Sequence, residues 1–182
     1  YSAIEPPTWS LLLSQAVRAK GFSPAILDCN AENLDEADAY NRIISLKPRL
    51  ICFVVYGQNV NSGTTNMSGA VKLSNYIKSK EKNLIISFVG SHVQALPIAT
   101  LNKEKSIDFV FTNEGVYALL NVLKLKKIEK KELLNIKGLA INDEHKPVIN
   151  QSEIVVPQDK MDVDLPGYAW DLLPYNKKPF DL

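Results

Sequence analysis

Histidine and cysteine each occur only twice in the 182 residues, and no CxxC or CxxxCxxC spacing is present. That scarcity leaves no zinc-type ligand set and no disulfide framework. Cys29 and Cys52 fall beside or within strand-like segments, as expected of buried thiols in a reducing, cytoplasmic compartment. An excess of one charge is missing too: 21 basic against 20 acidic residues give +1, so neither nucleic acid nor an anionic membrane is an expected partner. No apolar run approaches the roughly 20 residues of a membrane span, and the first residues show no basic-then-apolar leader pattern. The eight glycines, at 21, 57, 63, 69, 90, 115, 138 and 167, form neither GxxxxGK[ST] nor GxGxxG. A nucleoside triphosphatase is therefore not expected. A dinucleotide fold is only weakened, because its glycine signature follows a first strand and none shows ahead of the first helix; there Asp28 would be the ribose-binding acid, against its plainer role of capping a loop.

What is present is ordinary core-forming material, 46% hydrophobic and 23% charged, with no internal repeat and no low-complexity tract. After Pro6-Pro7, Thr8 can cap a helix with Trp9, Leu12, Leu13, Ala16 and Val17 on one face, closed by a left-handed turn at Gly21. PAILD (24–28) reads as a short strand. Asn33 or Asp35 can open a second helix with Ala39, Ile43, Ile44 and Leu46 inward. LICFVV (50–55), LIISFV (84–89) and DFVF (108–111) read as strands apolar on both faces, and helices follow each, from near Thr65, near Pro97 and after TNEG. Such strands alternating with helices predict a doubly wound α/β domain, flavodoxin-like or Rossmann-like, with a parallel sheet covered on both faces. GLAIN and PVIN read as the arms of a C-terminal hairpin. KLKKIEKKE (124–132) reads as a solvated connector, and residues 157–179 as an extended linker in which Trp170 anchors the chain to the domain.

In sheets of this class ligands bind beyond the carboxyl ends of the strands. Three loops expected at that edge, YGQNVNSGTTN, GSHVQALP and TNEGVY, are small, polar and glycine-containing. Any one of them is an ordinary turn; their coincidence on one edge points to a ligand surface.

The ordered segments SAIEPPTWSLLLSQAVRAKGFSPAILDCNAE, VVYGQNVNSGTTNMSGAV, FVGSHVQALP, DFVFTNEGVYALLNVL, IKGLAIN and LPGYAWDLLP together resemble the N-terminal cobalamin (B12)-binding domain of B12-dependent radical SAM enzymes, relatives of the anaerobic protoporphyrin ester cyclase. The resemblance implies a cobalamin-binding domain over residues 1–125, a charged connector and hairpin over 126–150, and a linker over 151–182 leading to a radical SAM core domain. It also implies a strand ahead of Tyr1. S-adenosylmethionine and a [4Fe-4S] cluster would belong to that core, and this segment alone would hold cofactor without catalysing the radical reaction.

For a broad macrocycle fringed with amides, the residue types suit contact: Tyr56, Gln58, Asn59, Asn61, Ser62 and Thr64 offer polar partners, and Gly57 and Gly63 let the backbone approach. Gly90, Ser91 and His92 would flank the nucleotide tail, and Asn113, Glu114 and Gly115 would close the same edge. A helix beginning near Thr65 would add free N–H groups. No residue is expected to ligate cobalt: Asp143-Glu144-His145 matches only half of the DxHxxG pattern and reads as a turn, and His92 reads as a loop or tail contact. The alternatives are the nucleotide-binding half of a dehydrogenase or glycosyltransferase, and a degenerate domain that supports a neighbour without binding cofactor.

Overall fold

The computed structural model describes residues 6–56, 60–143 and 146–174, with the side chains of 60–65 left undescribed. Three parallel strands form one side of the sheet, β1 (Ile51–Val54), β2 (Ile86–Val89) and β3 (Phe109–Phe111), followed by antiparallel β4 (Leu139–Asn142) and β5 (Pro147–Ile149), in spatial order β1-β2-β3-β4-β5. Ile51 faces Ile86 and Val54 faces Val89 across the first pair, and Phe88 faces Val110 across the second.

Alternation along these strands divides the core in two. Val89, Phe109, Phe111, Leu139 and Ile141 point to one face, where they meet Leu13, Ala16 and Val17 of α1 (Thr8–Ala19) and Val116, Leu119 and Leu120 of α6 (Val116–Lys124). Ile86, Phe88, Val110 and Ala140 point to the other face. There they meet Ala39 of α2 (Glu36–Ser45), Met67, Leu73 and Ile77 of α3 (Val60–Lys80), Val93 of α4 (Ser91–Ala95) and Leu101 of α5 (Pro97–Lys103). The architecture is thus doubly wound α/β, with an antiparallel side added to a parallel one.

Local signals account for several boundaries. Gly21, at φ 87°, ends α1 with paired bonds from its own N–H to Arg18 and from Phe22 N–H to Val17, the double bond of a Schellman turn. The Asp35 side chain accepts the Asp38 N–H and opens α2. The Thr8 side chain, by contrast, makes no cap; Pro7 precedes the helix and Thr8 Oγ1 donates to the Pro6 carbonyl. On α1 Leu11 is buried where Leu12 was expected, and on α2 Leu46 is 60% exposed.

Three larger expectations are corrected. Residues 24–28 form no regular element and join no ladder, so PAILD supplies no strand among the described residues; Pro24 lacks the N–H that a ladder uses. The helix expected near Thr65 begins at Val60, so Asn61, Ser62, Gly63 and Thr64 form its first turn and not a loop. GSHVQALP is likewise mostly helical, in α4 and the start of α5.

The connector after α6 carries α7 (Lys130–Leu133), which buries Leu133. The C-terminal segment holds two short 3₁₀ turns and α8 (Met161–Asp164), and returns across α1. Ala169 is buried and donates its N–H to the Leu11 carbonyl. Arg18 clasps Asp171 with two bonds of 2.6 and 2.9 Å, which holds that carboxyl below its ordinary range. Tyr117 donates to Asp164 at 2.8 Å and Lys20 reaches the same carboxylate at 3.0 Å. Ala169 and Leu173 make the buried contacts, while Trp170 is 43% exposed. β4 and β5 pair antiparallel, and residues 144–145 between them, including His145, lie outside the described residues.

Candidate functional site

The strands β1, β2 and β3 run parallel, so their carboxyl ends bring Tyr56, Gly90 and the 112–115 turn to one edge. A cleft of about 460 Å³ opens there, lined by Trp9, Tyr56, Gln94, Thr112, Asn113, Glu114 and Val155. Three of the residues expected from sequence, Tyr56, Asn113 and Glu114, therefore share one cleft. Trp9, Gln94, Thr112 and Val155 were not among them. Trp9 had been read as core from its helical spacing, and Gln94 becomes visible only once GSHVQ is known to be helical, which lifts its side chain beside Tyr56.

The cleft is built from tightly tied neighbours. Trp9 and Tyr56 meet edge to face, with ring centroids 5.7 Å apart. Trp9 Nε1 donates to the Glu114 carbonyl at 3.0 Å, and Gln94 Nε2 donates to the Tyr56 hydroxyl at 2.8 Å. Burial pushes the Tyr56 phenol up to about 12, with the Gln94 bond opposing it, so this hydroxyl stays protonated at neutral pH. Burial also raises the Glu114 carboxyl above its ordinary value, against the lowering effect of the Val156 N–H, which it accepts through Oε1 at 2.6 Å. Asn113 is engaged inside the fold: its Nδ2 donates to the Glu153 carbonyl at 3.1 Å and its Oδ1 accepts the Gly115 N–H at 3.0 Å. Gly115, at φ 85°, turns the chain into α6 in the left-handed region. Residues 153–156 thus cross the edge as a strap, tied to Asn113 and Glu114.

At the end of β2, a Cβ on Gly90 would run into the Val55 carbonyl, so only glycine lets these two backbones meet. The next side-chain oxygen, Ser91 Oγ, is buried and has no hydrogen-bond partner among the described residues. Buried hydroxyls without partners are uncommon, and one beside a ligand-facing edge is the kind a bound molecule satisfies. His92 lies in α4. Asn61, Ser62, Gly63 and Thr64 occupy the first turn of α3, close to the edge through the bond from Asn66 Nδ2 to the Tyr56 carbonyl at 3.4 Å. Gly57, Gln58 and Asn59 lie outside the described residues.

Comparison with protein families matches residues 2–123 to the B12 binding domain. The chain belongs to that family. A B12-binding domain has a flavodoxin-like fold, and the sheet and helices above conform to it. The chain is accordingly a cobalamin-binding module. No curated protein matches the chain.

The donor set agrees with a corrinoid. The cleft combines an aromatic pair, a phenol, an amide and a carboxyl, and the seven lining residues include no Lys, Arg or His. Among the described residues no group of three or more His, Cys, Asp or Glu could hold a metal ion. Both cysteines are free, and burial lifts the Cys52 thiol to about 11 and the Cys29 thiol above its ordinary value, so neither is poised as a thiolate. A second cleft of about 260 Å³, lined by residues 25–27, Arg42, Ser45, Leu46 and Leu172, contains none of the expected site residues. No helix among the described residues is long and apolar enough to cross a membrane.

Proposed function

We propose that cobalamin binds across the carboxyl edge of the sheet, over the first turn of α3 and against the cleft between Trp9, Tyr56 and Glu114. The observation that carries this reading is the combination, on one edge, of a cation-free cleft bearing amides, a phenol and the Glu114 carboxyl with Ser91 Oγ, buried beside Gly90 and unpartnered among the described residues. When bound, cobalamin supplies a cobalt centre able to carry a methyl group or to take part in radical chemistry.

The protein's own residues have separable roles. Tyr56, held by Gln94, offers a hydroxyl proton to an acceptor; Ser91 Oγ gains a partner that it lacks among the described residues; Gly90 keeps the floor low. Asn61, Ser62, Gly63 and Thr64 are placed with the free N–H groups of a helix start, which favour a phosphate. His92, Asn113 and Gly115 complete the same edge as neighbours or turn-formers, and Gly57, Gln58 and Asn59 are proposed as further cofactor contacts.

The parent enzyme, on this reading, is a B12-dependent radical SAM enzyme that transfers a methyl group or rearranges a carbon skeleton. Its radical SAM core would bind S-adenosylmethionine and a [4Fe-4S] cluster, and the strap and residues beyond it would lead toward that core. The family assignment favours a corrinoid over a nucleotide at this edge. Equilibrium dialysis tests the choice. Hydroxocobalamin should be retained in a saturable, near-equimolar complex with shifted corrin absorption, and NAD or a nucleotide sugar should not displace it. No retention, or displacement by a nucleotide, would reject the proposal.

A further inference from the structure

We infer that Glu114 selects for the amidated form of the corrinoid, accepting a carboxamide N–H at the margin of the macrocycle and turning away the corresponding carboxylate. The inference rests on the corrinoid reading above and deepens it. A cleft of about 460 Å³ takes only part of a molecule as large as cobalamin. The acceptors available there are the Glu114 carboxyl and the Gln94 amide oxygen, beside the Tyr56 hydroxyl, which accepts from Gln94 and keeps its own proton to donate. The fringe of the amidated macrocycle is the part of the ligand rich in N–H donors.

The charge balance points the same way. None of the seven lining residues is a cation, and the polar groups recorded on Glu114 are neutral, namely the Val156 N–H on its carboxyl and Trp9 Nε1 on its carbonyl. Titratable groups that face it are Tyr56 from the end of β1 and Tyr117 from α6, both protonated at neutral pH; on the C-terminal segment Glu153 adds negative charge, and Asp164, which accepts from Tyr117, is itself paired with Lys20 at 3.0 Å. A ligand carboxylate brought into this cleft would face the Glu114 carboxylate in a partly desolvated setting with no cation in the lining to offset the repulsion. A ligand amide would gain a charge-assisted hydrogen bond. Position reinforces the assignment, since Glu114 is fixed at both ends, through its carbonyl to α1 and through Oε1 to the strap, and cannot swing away without breaking one of them.

The test uses the whole chain and two corrinoids without the nucleotide tail, cobinamide with its carboxamides and cobyrinic acid with free carboxylates, titrated spectroscopically well above the carboxylate range. Wild-type protein should prefer cobinamide by about tenfold or more. Because cobyrinic acid differs in total charge as well, the ratio is measured again in Glu114→Gln, which preserves the acceptor for Val156 and removes the negative charge. The preference should fall several-fold in that variant, mainly through tighter binding of cobyrinic acid. Equal affinities in the wild type, or the same preference in both proteins, would overturn the inference while leaving cobalamin binding intact. Binding of neither corrinoid while hydroxocobalamin is still retained would overturn this inference alone, and failure to retain hydroxocobalamin would overturn the cobalamin reading and this inference together.

Discussion

The two edges of the parallel sheet are made from the same strands and differ in almost every other respect. At the amino edge, Lys78 reaches Asp108 at 2.8 and 3.0 Å and the Leu84 carbonyl at 2.6 Å, while the same Asp108 accepts the Ile86 N–H at 2.7 Å. Nearby, Ser74 and Ser106 share a buried hydrogen bond of 2.7 Å. Polar groups there are spent on each other. At the carboxyl edge a cleft stays open, a buried hydroxyl lacks a partner among the described residues and the pKa of a carboxyl is raised by burial. A folded chain gains stability from the first arrangement, while the second leaves polar groups free to meet a ligand.

Substitutions at the two edges should therefore separate stability from binding. The largest effect is expected for Gly90→Ala, which places a Cβ against the Val55 carbonyl backbone; thermal unfolding should register a loss of about 3 kcal/mol or more. Asp108→Ala should cost about 2 kcal/mol by leaving the half-buried Lys78 and the Ile86 N–H without their acceptor. That variant, where folded, should keep the wild-type affinity for hydroxocobalamin; a lost affinity would blur the distinction between the edges. Trp9→Phe removes the donor to the Glu114 carbonyl and should lower cobalamin affinity several-fold, with a stability change of about 1 kcal/mol.

The smallest effect concerns pH. The Glu114 carboxyl is raised in the folded state, so its contribution to stability is full below the ordinary carboxylate value and is lost as pH rises through the raised one. Glu114→Gln should remove that component, so denaturant midpoints across the acid range should show a shallower pH dependence in its part of the curve.

The doubly wound plan was readable because LICFVV, LIISFV and DFVF are apolar on both faces, which only a covered sheet tolerates. Gly21 and Asp35 likewise declared their caps locally. PAILD misled for a physical reason: an apolar segment becomes a strand only when a neighbour accepts its hydrogen bonds, and sequence does not name the neighbour. The polar run after Tyr56 concealed five residues of helix, from Val60 to Thr64, because Asn, Ser, Gly and Thr have low helix propensity that tertiary placement overrides. Tyr56, Asn113 and Glu114 were legible as edge residues. The strap at 153–156, and the pairing of Trp9 with Glu114 across 105 residues of chain, depend on long-range closure that local pattern does not encode.

The central claim, that cobalamin occupies the carboxyl edge, is tested most directly by amide hydrogen exchange with and without hydroxocobalamin. Protection should rise in residues 90–94, 112–116 and 153–156, while residues 84–86 and 106–108 at the opposite edge stay unchanged. Protection confined to the amino edge, or no change at either edge under saturating cofactor, would contradict it.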